Sequence, residues 1–357
     1  MMKPFSDVTV VELCREGTPV HLRLAMAMTG RLIADQGARL LCMVSGPDRL
    51  EHVPPFLDGG ISGTHAFLTV GKEIVALSSE AATESALAAQ PVAVILAEGD
   101  VDRDRFAAAG IAVVELANWP KAMREELADE PVNDFALAAS AGFLDVIGEP
   151  GRAPLRLGGH QLSYSAGMSA FTALTAAVVQ RDLDGRVLHA RVSLLETAVW
   201  MNWKAIVGAD GPGPHTTRAG NDADFPVFRC KDGWAAFVYT PNQFERLEGM
   251  FAGLPIREMK GLPPEERSRR LKAAVEPWFA ERTRAEVYAA AREFGIPVGP
   301  VYAPGELLED EQYLARDFFT GSPGTLRFPR PPMTWNGARL ESRPAPVPAH
   351  ATEESIL

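Results

Sequence analysis

The first third of the chain alternates between short apolar runs and helical patterns, and this alternation limits the possible folds more than any other feature. Residues 8–13 and 39–44 have the composition of buried strands, and the apolar residues of 22–36 recur at helical spacing. Gly37 follows as a helix stop. A strand, a helix and a strand within about 37 residues predict a βαβ unit with parallel strands.

The same alternation continues to residue 116. Strand-like runs lie at residues 67–70, 73–77, 91–97 and 111–116, and helical stretches alternate with them. This order predicts the α/β class, with a doubly wound layer around a parallel sheet. The first turn, residues 14–19, has one glycine and no G-x-G-x-x-G pattern, so we expect a Rossmann-like layer without a dinucleotide site.

A chain of 357 residues suggests about two domains. We place a large Rossmann-like domain at residues 1–207, completed by 309–357, a linker at 208–221, and a small α+β domain at 222–308. In the small domain, two strand patterns flank a Lys231-Asp232-Gly233 turn, which predicts a hairpin. Helical patterns follow at residues 241–251, 264–281 and 285–294.

Residues 155–192 form the most distinctive stretch. A Gly158-Gly159 turn leads into a helix of small residues, predicted at about 164–180, and a strand follows an Asp184-Gly185 turn. Small side chains on a helix allow another backbone or a ligand to come close. The residues just upstream, 134–144, also have a helical pattern, and a further helix is predicted at 193–207 with Ser193 as its cap.

Composition narrows the classes of partner. The net charge of −11 argues against a nucleic-acid partner, which needs a basic surface. Apolar runs stay shorter than the roughly 20 residues that span a bilayer, and the first residues lack the apolar centre of a signal peptide, so we expect a cytoplasmic protein without a membrane partner. The cysteines and histidines show no metal-ligand spacing, and no metal is expected.

Several segments, in order along the chain, resemble the class III CoA-transferases of the CaiB/BaiF type, a family that includes formyl-CoA transferases, carnitine CoA-transferases and alpha-methylacyl-CoA racemases. The resemblance extends over roughly residues 5–335 and implies a Rossmann-like large domain plus a smaller α+β domain in an interlocked dimer. The segments that carry it are 30–38, 134–142, 148–154, the helix around Gly167, 184–186, 193–198, 218–221, 231–234 and 294–301.

The resemblance also implies a mechanism. In these transferases an aspartate four residues before the helix glycine attacks the acyl-CoA thioester and passes CoA to a second acid. With Gly167 as the helix glycine, Ser163 stands at that position. The racemases add a histidine about 30 residues upstream, where this chain has Asn133, and an amide cannot act as a base. Residues 118–131 also replace a glycine-rich segment of the family.

Three interpretations of these residues remain open. Ser163 has His160 three residues away as a possible base, and the Gly-Gly turn offers backbone N–H groups to an oxyanion. A serine at a helix start is also a common N-cap, a role worth about 1 kcal/mol. A relocated carboxylate, Asp134 or Asp145, is the third possibility.

No covalently bound cofactor is expected, and coenzyme A or acyl-CoA enters as a substrate together with a small carboxylic acid. The adenosine phosphates of CoA need arginine or lysine. The candidates by family position are Arg49, Lys72, Arg103 and Arg105, and ordinary solvated surface charges are the alternative.

Three functions are compatible with the sequence. The first is an acyl-CoA-processing, CoA-transferase-like homodimer with an atypical active site. The second is a non-catalytic subunit that pairs with an intact homologue. The third is a CoA-thioester hydrolase, lyase or racemase-like variant.

Overall fold

A computed structural model describes residues 3–123, 127, 130–148, 151–211, 226–321 and 326–340. The chain divides into two compact units, Met1–Ala219 with Phe319–Leu357, and Gly220–Phe318. The last helix before the second unit extends to Asp210, so it includes the first residues of the predicted linker. Residues 212–221 of that linker lie outside the described residues.

The first unit is built on a parallel sheet of six strands in the order β3-β2-β1-β4-β5-β6. Its strands are β1 Thr9–Cys14, β2 Arg39–Ser45, β3 Lys72–Leu77, β4 Ala93–Ala97, β5 Ala112–Ala117 and β6 Ala190–Ser193. The central strands are apolar on both faces because helices cover both sides of the sheet. The predicted α/β class with a parallel sheet is confirmed.

The helices of this unit follow the predicted alternation. They are α1 Val20–Asp35, α2 Gly63–Leu68, α3 Ala82–Ala88, α4 Arg103–Ala108, α5 Asp134–Ser140, α6 Gln161–Asp184, α7 Leu194–Met201 and α8 Trp203–Asp210. Ser193 caps α7 as expected, since its Oγ accepts from the N–H of Glu196 at 3.2 Å. The stretch predicted as one helix at 193–207 is divided at Asn202 into α7 and α8.

Close packing of α6 against α1 explains the small residues of α6. A Cβ atom at Gly167 would lie 2.6 Å from the carbonyl oxygen of Ala25, and Thr29 Oγ1 donates to the Gly167 carbonyl at 3.0 Å. By length and composition α6 could cross a membrane, but 44% of its apolar window is buried and it supplies core residues to the first unit. The helix therefore has the character of a core helix.

The predicted strand at residues 67–70 is wrong. Ser62 accepts from the N–H of His65 at 3.0 Å and begins α2, which continues to Leu68. Phe67, Thr69 and Val70 favour strands by intrinsic propensity, but the cap upstream decides the local structure.

The second unit contains a three-stranded antiparallel sheet, β7 Val227–Cys230, β8 Gly233–Phe237 and β9 Val298–Val301. The predicted hairpin is therefore confirmed. Its helices are α9 Phe244–Met250, α10 Pro264–Ala280, α11 Arg284–Phe294 and α12 Glu311–Ala315. Phe228, Phe237, Phe251 and Phe279 pack together at its centre.

Candidate active site

The strand order of the parallel sheet reverses between β1 and β4, and ligands of such sheets bind beyond the carboxyl ends of the strands at this point. Three polar residues lie beyond the carboxyl ends of β1, β4 and the neighbouring β5. His21 lies in the first turn of α1, Glu98 follows β4, and Asn118 follows β5. The edge of the sheet is therefore polar where the topology predicts a site.

Asp134 and His160 meet beside this edge. His160 Nδ1 lies 3.0 Å from Asp134 Oδ2, and the two side chains are 23% and 14% exposed. Asp134 is the first residue of α5, whose N-cap Asn133 accepts from the N–H of Ala136 at 2.9 Å. His160 is the N-cap residue of α6. Two helix starts, separated in sequence by 26 residues, thus bring a carboxylate and an imidazole together.

Asp134 is held ionised. Burial by itself would raise the pKa of this carboxyl, but the hydrogen bond from His160 and the electrostatic influence of His160 and Arg156 outweigh it, and the pKa is lowered from its ordinary value. The second oxygen, Oδ1, accepts no hydrogen bond from the described residues. The arrangement leaves one carboxylate oxygen held by an imidazole and the other open to a reacting partner.

A hydrogen-bonded chain fixes His21 behind this pair. His21 Nε2 lies 2.6 Å from Asn118 Oδ1, and Glu98 Oε1 accepts from the backbone N–H of Asn118 at 2.9 Å. Glu98 is in turn held by Arg191 at 3.0 Å. Burial lowers the pKa of His21 despite the opposing effects of Asn118 and Asp134, so this imidazole is neutral at physiological pH.

Tyr164 closes one side of the site. Its ring stands edge-on to the His160 ring, with centroids 6.3 Å apart, and its hydroxyl is hydrogen-bonded with Thr64. Burial, with the Asp134 carboxylate as the second cause, raises the pKa of Tyr164, so the phenol stays protonated. It can donate a hydrogen bond but cannot act as a base near neutral pH.

The structure does not bring Ser163 into a hydrogen bond with His160. Ser163 is fully buried, and its Oγ has no hydrogen-bond partner among the described residues. It is the third residue of α6 and does not cap the helix, so the N-cap interpretation of Ser163 is wrong. His160 Nδ1 is directed instead to Asp134. Asp145 lies on the 3-10 turn Phe143–Val146 and does not line the pocket described next.

A small pocket opens beside Asp134, and most of its walls are apolar. It is lined by Asp134, Phe135, Ala138, Phe143, Leu144, Arg156, Leu157, Gly159, Gln161 and Leu162. The walls can hold the carbon chain of a small acyl group next to the carboxylate.

The four cations proposed for CoA lie in different environments. Arg49 is exposed and forms no ion pair within the described chain. Lys72 is buried, and its ammonium contacts Glu12 Oε2 at 2.6 Å and the Ala27 carbonyl at 2.9 Å. Its charge is therefore satisfied inside the protein.

Arg103 and Arg105 are both on the surface of α4. Arg103 pairs with Asp104 at 2.9 Å, and Arg105 pairs with Asp102 at 3.3 Å and with Glu84. Arg103 also lies 3.8 Å from the buried Glu115 carboxylate. Exposed pairs of this kind contribute little to stability, so they do not by themselves tie Arg105 to its present partners.

Sequence reasoning missed four residues of the site: His21, Asn118, Tyr164 and Arg156. A signal existed for the first two. Asn118 comes shortly after the strand predicted at 111–116, and His21 lies just before the helix predicted at 22–36, beyond the first strand. Tyr164 and Arg156 gave no separate signal, because their positions depend on how residues 134–160 fold back onto the sheet.

Residues 114–353, well over half of the chain, match the model of CoA-transferase family III. The chain therefore belongs to CoA-transferase family III, as the sequence resemblance predicted. The parallel sheet of the first unit with its helix-covered faces is the architecture found in solved members of the CaiB/BaiF group.

Sequence similarity to two CoA-transferases is consistent with membership of this family. The chain is 26% identical over 212 residues to an acetyl-CoA:oxalate CoA-transferase of Acetobacter aceti, covering 56% of this chain and 54% of that enzyme. It spans only about half the length of this relative. It is also 24% identical over 344 residues to a succinate–glutarate CoA-transferase of Agrobacterium fabrum, covering 88% of this chain and 84% of that enzyme.

Solved structures show the same fold. A CAIB/BAIF family protein from Brucella suis has a TM-score of 0.78 at 20% identity and covers 96% of both chains. A hypothetical protein from Mycobacterium tuberculosis has a TM-score of 0.77 at 18% identity, covering 100% of this chain and 99% of the other.

Proposed function

We propose that this protein is an acyl-CoA-processing enzyme of the CoA-transferase type in which the Asp134 carboxylate is the nucleophile. The observation that carries the proposal is the 3.0 Å contact between His160 and Asp134 beside an apolar pocket. It is supported by membership of CoA-transferase family III and by relatives whose names specify CoA transfer between carboxylic acids.

In the first half-reaction, Asp134 Oδ1 attacks the thioester carbonyl of the acyl-CoA. The C–S bond breaks, the CoA thiolate leaves with the electron pair, and an acyl-aspartyl anhydride forms. The thiolate then attacks the Asp134 carbonyl carbon of the anhydride and releases the acyl group as a free carboxylate. The product on the protein is an Asp134–CoA thioester.

In the second half-reaction, the carboxylate of the acceptor acid attacks the Asp134 thioester carbonyl and releases CoA thiolate, which gives a second anhydride. The thiolate attacks the acceptor's carbonyl carbon in that anhydride, so the acceptor leaves as its CoA thioester and Asp134 returns as a carboxylate. No net proton is consumed, which suits an aspartate whose pKa is lowered, so that the free carboxyl is ionised before each turnover.

The neighbours of Asp134 position it and stabilise charge. The His160 hydrogen bond fixes one oxygen, which leaves the other aimed at the substrate. The first backbone N–H groups of α6 have no partners within the helix, and they can stabilise the oxyanion that forms at the attacked carbonyl. The exposed Arg49 and the two α4 arginines, Arg103 and Arg105, supply cations for the CoA phosphates.

We expect the enzyme to act as a homodimer in the cytoplasm. Along α6, α7 and α8 the apolar side chains of Met168, Leu183, Trp200, Trp203 and Val207 are exposed, and Trp200 is 78% exposed. A stretch of exposed aromatic and aliphatic residues of this kind marks a protein–protein interface. A second copy that covers these helices would bury them. Pairing with an intact homologue is the alternative.

Thioester hydrolysis is the second candidate, because His160 Nε2 makes no hydrogen bond with the described residues and could activate water while Asp134 orients the ring. Product analysis separates the two functions. We would incubate the protein with acyl-CoA and an isotopically labelled acceptor acid and follow both CoA species by chromatography.

Transfer predicts labelled acceptor-CoA that grows with acceptor concentration and is lost in Asp134→Asn, while Asp145→Asn keeps it. Free CoA formed at the same rate with or without acceptor would instead establish hydrolysis. Absence of both products from the purified homodimer, with recovery on adding a homologous chain, would establish a non-catalytic subunit.

A further inference from the structure

Arg156 is the one cation among the residues that line the Asp134 pocket. It lies on the loop that leads into α6, four residues before His160, and its side chain is exposed at the pocket. The other walls are mostly apolar: Phe135, Phe143, Leu144, Leu157 and Leu162. A guanidinium beside apolar walls favours the binding of an anionic group of the substrate.

Within the described chain that anion is not supplied by the protein. Arg156 forms no ion pair with any described residue, and this includes Asp134, which lines the same pocket. Its hydrogen bond from Nη2 goes to the carbonyl oxygen of Gly159 at 3.0 Å. That bond orients the guanidinium against the Gly-Gly turn. The Asp134 carboxylate feels the charge of Arg156 but does not form a direct ion pair with it.

The pocket therefore presents an open carboxylate oxygen and, separately, an oriented cation, with apolar walls around them. A substrate that matches it has an electrophilic carbonyl for Asp134, a short carbon chain for the walls and a negative group for Arg156. Arginine and a carboxylate form charge-assisted, often bidentate hydrogen bonds. A terminal carboxylate on the acyl group meets all three requirements.

We infer that Arg156 binds the distal carboxylate of a dicarboxylic acyl group, so that the preferred substrates are half-thioesters of short dicarboxylic acids with CoA. This inference rests on the proposed function for the identity of the attacked thioester. It adds a specificity-determining residue and a substrate class to that function.

Matched substrates test the inference. Succinyl-CoA and butyryl-CoA have the same number of acyl carbons and differ by a terminal carboxylate against a methyl group. The kcat/KM for each would be measured in the wild type, Arg156→Met and Arg156→Lys. Arg152→Met, an exposed arginine on the same loop, is the control.

The wild type is expected to prefer succinyl-CoA, and Arg156→Met should lower kcat/KM for it about 10- to 100-fold, the scale of a lost charge-assisted hydrogen bond. Butyryl-CoA should change less than about threefold, and Arg156→Lys should retain part of the preference because it keeps the charge. Equal losses for both substrates would overturn the inference, since they would place Arg156 at the CoA phosphates or assign it to Asp134 alone.

Equilibrium binding keeps this test separate from the proposed function. Titration of the wild type with the two thioesters, repeated with Arg156→Met, measures the same preference without turnover. A binding preference for succinyl-CoA that disappears in Arg156→Met supports the inference even where no transfer occurs, in which case only the proposed chemistry fails. No preference in binding or in turnover overturns the inference and leaves transfer by Asp134 standing.

Discussion

Two groups of polar and charged side chains lie within the first unit, and they differ in how their polar atoms and charges are matched. The buried ion cluster, Glu12, Arg23, Asp48 and Lys72, contains two acids and two bases. Arg23 pairs with Glu12 and, at 2.7 Å, with Asp48, while Lys72 pairs with Glu12 at 2.6 Å. The active-site group, Asp134, His160, His21 and Ser163, is partly open and leaves Asp134 Oδ1 and Ser163 Oγ without partners among the described residues.

This difference separates a structural role from a chemical one. In the buried ion cluster, burial alone would raise the pKa of Glu12. The positive side chains of Lys72 and Arg23 outweigh this effect and lower the pKa. Each charge of the cluster has a partner inside the protein. In the active-site group the carboxylate is also ionised, but one of its oxygens faces a pocket. Perturbed pKa values alone would not tell the two groups apart, because both contain them.

Removing one member of the buried ion cluster should give the largest effect on stability. Lys72→Met leaves Glu12 with an uncompensated share of negative charge in the core, and we expect a loss of about 3–5 kcal/mol in the free energy of unfolding. Urea denaturation measures it. The control is Arg39→Met, which breaks an exposed pair with Glu73 and should cost less than about 1 kcal/mol. A stable Lys72→Met protein that has lost CoA affinity would assign Lys72 to the ligand instead.

The next largest effect is expected on catalytic activity, when His160 is replaced. His160→Phe removes the hydrogen bond to Asp134 and should lower kcat about 100-fold without unfolding the protein. Loss of that bond also raises the pKa of Asp134 toward the ordinary value of about 3.9, so the acidic limb of the pH–rate profile should move to higher pH. His160→Asn, which keeps a donor, should retain more activity. If both variants lose kcat equally and the wild type releases free CoA without an acceptor acid, His160 would instead act as a base in hydrolysis.

His21 should produce a smaller, pH-dependent effect on stability. Because burial lowers its pKa, the unfolded chain binds a proton below about pH 6.5 while the folded protein does not, so stability falls as the pH decreases through that range. Each unit of difference between the folded and unfolded pKa of His21 changes the free energy of unfolding by about 1.4 kcal/mol. His21→Gln should flatten this slope between about pH 6.5 and 5, as measured by denaturation at several pH values. An unchanged slope would show that His21 has the same pKa in the folded and unfolded states.

The smallest effect is expected for Ser163. Since its Oγ is buried without a partner in the described chain, Ser163→Ala should leave activity within about twofold and leave stability unchanged or slightly higher. Steady-state kinetics and thermal unfolding test this together. Inactivity of a folded Ser163→Ala protein would make Ser163 the nucleophile and would remove the contrast between the two groups.

Much of the fold could be predicted because local patterns and global packing agree. The first apolar strands and the Gly37 stop appear where the sequence placed them. The strand prediction for residues 67–70 was wrong because the Ser62 cap outweighed their strand propensity. The start of α6 at Gln161 was missed for a related reason, since the Gly-Gly turn gave no cap residue to mark it.

The site was only partly predictable. Asp134 and His160 were both identified as candidates, but their contact depends on a loop of irregular structure between two helices, which periodicity does not describe. Lys72 was proposed for CoA by its family position, and the sequence did not show that its side chain is buried. Its environment depends on Gly30, where a Cβ atom would lie 2.1 Å from Glu12 Oε2, so the absent side chain makes room for the buried ion cluster.

The most direct test of the central claim is to trap the covalent intermediate. The protein would be incubated with succinyl-CoA and with butyryl-CoA, treated with borohydride to reduce an aspartyl-CoA thioester to homoserine, digested and analysed by mass spectrometry. We expect a CoA adduct on Asp134 before reduction, homoserine at residue 134 after it, and neither in Asp134→Asn. An adduct on Ser163 or Asp145, or turnover with an unmodified Asp134 at every stage, would contradict it.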